Sequence, residues 1–148
     1  MNPLEVLLVD DNPADSDLIG DVLSRSSRRF HIHSVTDGVE AIGFLRRSGK
    51  HANALSPDLV LLDLNLPLKD GRAVLAEVKA DPLLKKIPIT IFSTSEAPQD
   101  IIRSYELGAN CYVRKPGNLS EYIAAVTSIG DFWFGSACLP SERTNERR

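Results

Sequence analysis

Short apolar segments alternate with longer segments of helical periodicity along most of the chain, and this alternation restricts the fold more than any other feature. The apolar segments are strand-sized and rich in β-branched residues, and they cover residues 6–9, 32–35, 59–62, 89–92 and 111–113. The helical segments cover residues 14–24, 38–47, 73–79, 101–107 and 119–129. This order predicts an α/β fold, a doubly wound five-stranded parallel sheet with helices on both faces.

The composition is typical of a single globular domain. Of the 148 residues, 43% are hydrophobic and 25% are charged, and the net charge is -3. The basic residues form no continuous stripe, so we expect no binding to nucleic acid. The sequence has no signal-peptide pattern and no membrane-length apolar run, which predicts a cytoplasmic protein without a membrane anchor. Cys111 and Cys138 lie far apart and are expected to be free thiols.

Residues 1–130 are predicted to form one domain, and residues 131–148 a C-terminal extension. The connections are short except for the polar segment 48–57, which we expect to be a surface loop. The extension follows Gly130, which is expected to end the last helix, and it carries Phe132, Trp133 and Phe134 near its start. Its last residues are polar and charged and are predicted to be disordered. Because no second domain follows, we expect a stand-alone protein that acts through its own surface.

Acids, hydroxyl groups and one lysine come directly after four of the predicted strands. In chain order they are Asp10 and Asp11, then Asp63 and Asn65, then Ser93, Thr94 and Ser95, and finally Lys115. In an open parallel sheet, ligands bind at the carboxyl ends of the strands, next to the point where the strand order reverses. These residues are therefore the candidates for a functional site.

Asp63 ends the apolar run in LVLLDLNLP, and an aspartate in that position often only caps the next turn. Here it is expected near Asp10 and Asp11, and three carboxylates in a partly dry site repel one another unless protons or a cation neutralise them. A divalent ion is the simpler solution, and oxygen ligands with open positions favour Mg²⁺. Asp63 is then free to act as a nucleophile, while the metal, Lys115 and a hydroxyl group neutralise the phosphoryl oxygens that it acquires.

Five motifs together resemble a known family. They are VLLVDDNPAD, LVLLDLNLP, GRAVLAEVKA, ITIFSTS and CYVRKP, and in type and order they resemble the receiver domain of two-component response regulators over residues 4–129. The resemblance implies a flavodoxin-like (βα)5 fold with strand order 2-1-3-4-5. It also implies a signalling protein, not an enzyme, that a histidine kinase phosphorylates on an aspartate in a Mg²⁺-dependent reaction.

The resemblance also implies roles for the acidic residues. Asp10 and Asp11 match the acidic pair of receivers, with Asp11 the more direct Mg²⁺ ligand and Asp10 acting mainly through water. Asp63 matches the phosphoacceptor and also contacts the metal. Asn65 matches the residue whose backbone carbonyl completes the metal site.

Three further residues match those that respond to the phosphoryl group. Ser93 matches the hydroxyl that bonds it, and Lys115 matches the lysine that pairs with it. Tyr112 matches the switch residue, whose ring turns inward when Ser93 is drawn toward the phosphate. Receivers commonly carry a small residue after this hydroxyl, where the chain has Thr94, so Thr94 is an alternative phosphoryl partner. The bond between Lys115 and Pro116 is expected to be cis.

The loop before the third strand, the stretch NCYVRKPGNLSEY and the aromatic extension resemble the small response regulators that serve cyanobacterial phytochromes. This resemblance implies a phytochrome-type histidine kinase as partner. It also implies a homodimer through the fourth helix, the fifth strand and the fifth helix. We expect Phe132, Trp133 and Phe134 at its core, because aromatic residues are favoured interface anchors. The alternative is that the extension folds back onto its own domain.

Two other functions would use similar residues. Phosphohydrolases of the haloacid type also combine a strand-end aspartate, Mg²⁺ and a lysine, but they carry a second aspartate where this chain has Asn65. They also need a cap domain, for which the chain has no room. A receiver that acts only as a scaffold would not need Asp63 and Lys115 together with the acidic pair.

Overall fold

The computed structural model describes residues 3–140, which form a five-stranded parallel sheet with helices on both faces. The strands are β1 (Leu4–Val9), β2 (Phe30–Val35), β3 (Leu59–Leu62), β4 (Ile89–Ser93) and β5 (Cys111–Arg114). Neighbouring strands are parallel, and their order across the sheet is β2-β1-β3-β4-β5. The predicted fold class and strand order are therefore confirmed, and the order reverses between β1 and β3.

Five helices connect and follow the strands. They are α1 (Pro13–Ser24), α2 (Gly38–Leu45), α3 (Gly71–Ala80), α4 (Pro98–Glu106) and α5 (Leu119–Asp131). Four of them begin at an Asn or Asp side chain that accepts a backbone N–H of the first turn. α4 has no such cap and begins earlier than predicted, because Pro98 suits the first position of a helix. The polar segment 48–57 contains a short 3₁₀ turn, Gly49–His51.

The sheet separates two hydrophobic cores. On one face, alternate strand residues such as Leu7 and Val60 pack with residues of α2 and α3. On the other face, their neighbours such as Leu8 and Leu61 pack with residues of α1 and α5. β1, β3 and β4 are buried at every position, as expected for parallel strands that are covered on both sides. Glu5 is the one charged residue within these three strands.

The last helix is longer than predicted. α5 runs through Gly130 to Asp131, and a π-helical turn, Phe132–Ser136, follows it. The prediction that Gly130 ends the helix is wrong, because this glycine serves close packing instead: a Cβ there would lie 3.1 Å from Cδ2 of Leu23 on α1. The tail that is predicted to be disordered, residues 142–148, lies outside the described residues.

The aromatic residues of the extension pack mainly on their own domain. Phe134 is buried and stands edge-on against Phe30, with ring centroids 5.1 Å apart. Trp133 is half-buried and donates a hydrogen bond from Nε1 to Oγ1 of Thr90 at 2.9 Å. Phe132 is exposed. Phe134 is already covered by its own chain, so the prediction that all three aromatics form the core of a dimer interface is wrong for this residue.

Three local predictions concern a peptide bond, the membrane and the cysteines. The bond between Lys115 and Pro116 was expected to be cis, but residues 3–140 contain no cis peptide bond. That prediction is wrong, and the trans form is the one that an X–Pro bond intrinsically prefers. No helix within this range is long and apolar enough to cross a membrane. Both cysteines are free thiols, as predicted.

Candidate functional site

β1 and β3 end side by side and bring three acids to one edge of the sheet. Backbone pairing continues past both strands, since Asp10 donates its N–H to Val35 at 3.1 Å and Asp63 donates to Val9 at 3.0 Å. Asp11 follows in the loop that leads to α1. Carboxylate oxygens of Asp10, Asp11 and Asp63 all lie within 4.8 Å of one another. The structure therefore brings the three predicted acids together.

Lys115 reaches this acidic group from the end of β5. Its side chain is buried, and its Nζ lies 2.7 Å from Asp10, 3.1 Å from Asp15 and 3.2 Å from Asp63. Its backbone N–H donates to the carbonyl of Ser93 at 2.7 Å, which fixes the position of the chain at the end of β5. One positive charge is thus shared among three carboxylates from three different elements.

Asp15 and Tyr122 also belong to the site, although the sequence motifs do not identify them. Asp15 lies in the first turn of α1 and accepts a hydrogen bond from the buried hydroxyl of Tyr122 on α5 at 2.8 Å. An acid in the first turn of a helix is ordinarily explained by the helix dipole alone. The available signal was its position at the start of the helix predicted from residue 14, directly after the loop that holds Asp10 and Asp11.

Burial and the Lys115–Asp10 pairing act in opposite directions on the pKa values of Asp10 and Lys115. Burial raises the pKa of Asp10, and the hydrogen bonds from Lys115 and from a backbone N–H lower it only in part. Burial lowers the pKa of Lys115, but the hydrogen bond to Asp10 and the charges of the neighbouring acids raise it by more, so Lys115 stays charged. Burial, and then the hydrogen bond to Asp15, raise the pKa of Tyr122, which stays neutral.

The acidic group fits a divalent metal ion with oxygen ligands. Asp10, Asp11 and Asp63 offer three carboxylate oxygens in a compact arrangement, and one lysine does not neutralise them all. Hard cations such as Mg²⁺ prefer oxygen ligands and keep water molecules at open positions, which the exposed side of Asp11 allows. Asn65 lies exposed two residues after Asp63. The role of its backbone carbonyl as a ligand of the metal ion stays a prediction.

Asp63 is held by the loop that follows β3. Its Oδ1 accepts the N–H of Leu64 at 2.7 Å, and its Oδ2 accepts from Lys115. The loop then returns to the strand end, where Gly71 donates its N–H to Leu64 at 2.9 Å. A Cβ at Gly71 would lie 2.1 Å from the carbonyl oxygen of Asp63, so glycine is needed for α3 to begin this close to the site. The Asp63 side chain is still 13% exposed, so one side of its carboxylate is open to solvent.

The two candidate hydroxyl residues differ in their burial. Ser93 is the last residue of β4, is fully buried, and accepts the N–H of Ser95 at 3.3 Å through its Oγ. Thr94 is exposed. Because Ser93 also pairs through its backbone with Lys115, its position favours it over Thr94 as the phosphoryl partner. Its role stays a prediction.

Tyr112 connects β5 to the loop between β4 and α4. Its hydroxyl donates to the carbonyl of Ser95 at 2.7 Å. The Ser95 hydroxyl donates to Asp100 at 2.6 Å, and Asp100 also accepts from Arg72 of α3 at 2.6 Å. The hydrogen bond from Ser95 and then that from Arg72 lower the pKa of Asp100. This chain of hydrogen bonds, the Tyr112 network, links the predicted switch residue to α3 and α4.

A cleft of about 730 Å³ lies at the opposite end of the sheet. Residues from the end of α2, the loop before β3 and the connection from α3 to β4 line it, among them Arg46 and Leu84. None of the predicted site residues lies there. The acids, the lysine and the hydroxyl groups instead converge at the carboxyl edge, where ligands bind in open parallel sheets.

The fold and this combination of acids with one lysine define the receiver class of signalling domains. The family model of the response regulator receiver domain matches residues 6–127, and the chain belongs to this family. Receiver domains bind a divalent metal ion in their acidic pocket, and the chain has the ligands for one.

Particular relatives narrow the comparison. The response regulator Rcp1 of Synechocystis sp. is 45% identical over 139 residues, which are 94% of this chain and 95% of that protein. The crystal structure of its Mn²⁺-bound form has a TM-score of 0.90 and covers 94% of this chain and 100% of its own. The phosphorylated cyanobacterial phytochrome response regulator RcpA is 49% identical, with a TM-score of 0.92 and coverage of 95% and 100%. The predicted resemblance to phytochrome response regulators is confirmed.

Proposed function

We propose that the protein is a single-domain response regulator that accepts a phosphoryl group on Asp63 from a histidine kinase, in a Mg²⁺-dependent reaction. The observation that carries this proposal is the contact of Lys115 with both Asp63 and Asp10, at 3.2 Å and 2.7 Å, where the three acids meet. The phosphorylated structure of the related RcpA supports it. A cytoplasmic location is part of the proposal.

Asp63 is the nucleophile of the proposed reaction. A carboxylate oxygen attacks the phosphorus of a phosphohistidine, and the new P–O bond forms as the P–N bond breaks. The leaving imidazole keeps the electron pair and takes up a proton. The Leu64 N–H and Lys115 orient the Asp63 carboxylate for this attack. Lys115 then pairs with the transferred phosphoryl oxygens, and Ser93, or alternatively Thr94, donates a hydrogen bond to them.

Four residues of the chain would hold the metal ion. They are Asp10, Asp11, Asp63 and, through its backbone carbonyl, Asn65. Mg²⁺ at this position supplies positive charge to the phosphoryl oxygens when it is bound. Asp10 is oriented by Lys115 and by the N–H of Asn12, which donates to Oδ1 at 2.9 Å.

Phosphorylation is proposed to act on the surface through Ser93 and Tyr112. A hydroxyl that moves toward the phosphoryl group carries the loop after β4 with it, and this loop accepts the Tyr112 hydrogen bond at Ser95. A shift of a two-state surface from 1:99 to 99:1 needs about 5.5 kcal/mol of differential stabilisation. Several charge-assisted bonds to a doubly charged phosphoryl group can supply energy of this order.

The direct test is phosphorylation by acetyl phosphate with Mg²⁺, followed by intact mass spectrometry. The parent should gain one phosphoryl group that hydroxylamine removes, and Asp63→Asn should gain none. Asp21→Asn is the matched control, because the exposed Asp21 of α1 pairs with Arg25 and is not one of the site residues, so its loss should leave the added mass unchanged. A parent that acquires no phosphate from acetyl phosphate or from a kinase would favour the scaffold function.

A signalling role fits the site better than the phosphohydrolase alternative. Haloacid-type enzymes need a second aspartate as general acid, and this chain has Asn65 in that position. A stable phosphoryl adduct on the parent is the expected result. Continuous release of phosphate from small phosphate esters would instead favour the enzyme.

The kinase is proposed to be of the phytochrome type, and the support is the identity to Rcp1 and RcpA over nearly the whole chain. Phosphotransfer from a cyanobacterial phytochrome kinase should be faster than from an unrelated histidine kinase at equal concentrations. Equal rates from both kinases would argue against a dedicated phytochrome partner.

A homodimer through α4, β5 and α5 is also proposed. These helices expose large apolar side chains, namely Ile102, Tyr105, Leu119 and Ile123, and Phe132 follows at the end of α5. Exposed apolar groups of this size commonly mark interfaces. Half-buried Trp133 adjoins them, with its ring centroid 5.1 Å from that of Phe132, whereas Phe134 does not contribute.

Point substitutions test the dimer better than truncation, because the extension contains the buried Phe134. Ile102→Glu and Phe132→Glu should reduce the mass measured by light scattering to that of a monomer. Leu83→Glu is the matched control, since Leu83 is also an exposed apolar residue but lies in the connection from α3 to β4. An unchanged mass for Ile102→Glu would contradict the proposed interface.

A further inference from the structure

A second group of metal-ligating side chains lies at the amino end of β1, away from the phosphorylation site. Glu5 of β1 pairs in register with His31 of the edge strand β2, and Leu7 pairs with His33. Alternate residues of a strand point to the same face, so Glu5, His31 and His33 all face α2. One ligand atom from each of the three lies within 4.8 Å of the other two.

The carboxylate of Glu5 is the central feature of this group. The side chain is only 2% exposed, and its Oε1 lies 3.1 Å from Nδ1 of His31. Its Oε2 accepts no hydrogen bond among the described residues, although it lies between the two imidazole rings. Nε2 of His33 is likewise buried without a hydrogen bond in this part of the chain. Two buried polar atoms thus point at each other, and a buried carboxylate needs a cation.

We propose that Glu5, His31 and His33 bind a zinc ion. Oε2 of Glu5 lies 3.0 Å from Nδ1 of His31 and 3.5 Å from Nε2 of His33. Ligands about 2.0–2.1 Å from a tetrahedral zinc ion are separated by roughly 3.3 Å, so both distances are close to those of a zinc site. The ion would give the two atoms without hydrogen bonds a common partner.

The donor set separates this group from the acidic group at the other end of β1. Two imidazole nitrogens and one carboxylate suit Zn²⁺ and neighbouring transition metals, whereas Mg²⁺ prefers oxygen ligands only. His31 is more than half exposed, so an ion can enter from solvent and keep a water molecule as its fourth ligand. The bound ion would join the edge strand β2 to the centre of the sheet.

Zinc binding in saturating Mg²⁺ tests the proposal, because Mg²⁺ would compete with zinc for the acidic group. Titration calorimetry of the parent with zinc chloride should give one site per chain, and His31→Gln and His33→Gln should each weaken binding at least tenfold. His51→Gln is the matched control, since His51 is the third histidine of the chain and contacts Glu40 outside the group. Its affinity should equal that of the parent.

A thermal measurement gives a second readout on the same proteins. Zinc at about 100 times its Kd should raise the Tm of the parent and of His51→Gln by several degrees, and that of His33→Gln by much less. Cobalt as a zinc substitute should give the strong visible absorption of a four-coordinate site in the parent and in His51→Gln, but not in His33→Gln. If substitution of the more buried His33 disturbs folding, His31→Gln provides the same test at a more exposed ligand.

Three results would overturn the proposal. They are the absence of zinc binding to the parent in Mg²⁺, equal affinities of the parent and both His31→Gln and His33→Gln, and loss of zinc binding in Asp63→Asn. The last result would place the zinc ion in the acidic group. Zinc binding that persists in Asp63→Asn and is lost in His33→Gln would support the proposal whether or not Asp63 is phosphorylated.

Discussion

The two ends of β1 each hold a buried carboxylate, and they differ in the nitrogen groups beside it. At the carboxyl end, Asp10 contacts Lys115, whose charge is permanent under physiological conditions. At the amino end, Glu5 contacts His31 and His33, which can act as neutral nitrogen ligands. The first environment suits a phosphoryl group and a hard cation, and the second suits a transition metal. The type of donor, more than the number of acids, therefore determines what each end can bind.

The two ends also differ in what they connect. The carboxyl end joins β1, β3, β5 and α1 through Lys115, and the Tyr112 network leads from it toward α3 and α4. The amino-end group joins β1 only to the edge strand β2. A change at the carboxyl end can thus reach the proposed signalling surface, whereas one at the amino end acts on the edge strand.

Removal of the permanent charge at the carboxyl end should have the largest effect. Lys115→Met leaves Asp10, Asp15 and Asp63 without their shared cation in a largely buried site. We expect the free energy of unfolding to fall by about 3 kcal/mol in the presence of a chelator. Mg²⁺ should restore much of this loss, because it neutralises the same carboxylates. Urea denaturation with and without Mg²⁺ measures both effects.

Lys79→Met is the control for this prediction. Lys79 is half-buried, and its Nζ donates to the carbonyls of Lys85 and Ile87 and to the side chain of Asn110. Its loss should cost about 2 kcal/mol, and Mg²⁺ should not restore it, because no carboxylate loses its partner. An equal loss for Lys115→Met with and without Mg²⁺ would contradict the charge argument.

Neutralising one acid at the carboxyl end should have a smaller effect of opposite sign. Asp10→Asn keeps the shape of the side chain and removes one of the carboxylates that share Lys115. In a chelator, we expect the free energy of unfolding to rise by about 1 kcal/mol, since repulsion among like charges falls. With Mg²⁺ the gain should disappear, because a metal ligand is lost.

The matched change at the amino end is Glu5→Gln. Its ligand group contains two imidazoles and no further carboxylate, so removal of the charge relieves no repulsion within the group. We expect a smaller gain in stability than that of Asp10→Asn in the same urea experiment, because only the burial of the charge is relieved. A gain as large as that of Asp10→Asn would remove the difference between the two ends.

The carboxyl-end site could be predicted from sequence because chain topology alone determines it. In a parallel sheet, every residue that directly follows a strand lies at one edge, so Asp10, Asp63 and Lys115 meet without knowledge of their rotamers. Asp15 and Tyr122 could not be found this way, since their contacts depend on how α1 and α5 pack. The same limit applied to Gly130, whose role depends on the approach of Leu23.

The amino-end group was missed for a different reason. His31 and His33 show the spacing of two residues that places them on one face of a strand, but Glu5 is distant in sequence. Only the register between β1 and β2 shows that Glu5 lies opposite His31. Strand order can be inferred from a fold class, whereas the register of an edge strand follows from packing that the sequence pattern does not specify.

The smallest predicted effect tests the connection that only the carboxyl end has. Asp100 accepts hydrogen bonds from Ser95 and Arg72, which lower its pKa below the ordinary value of 3.8. A lowered carboxylate pKa means that the ionised group stabilises the fold above 3.8 and that this contribution is lost as the pH falls through the folded-state pKa. Because Asp100 is partly exposed, solvent screening limits the contribution, and Asp100→Asn should cost about 0.5 kcal/mol at neutral pH. Urea denaturation at several pH values should show that the free energies of unfolding of the parent and the variant converge in acid. If the difference between the two stays constant with pH, the charge of Asp100 does not stabilise the Tyr112 network.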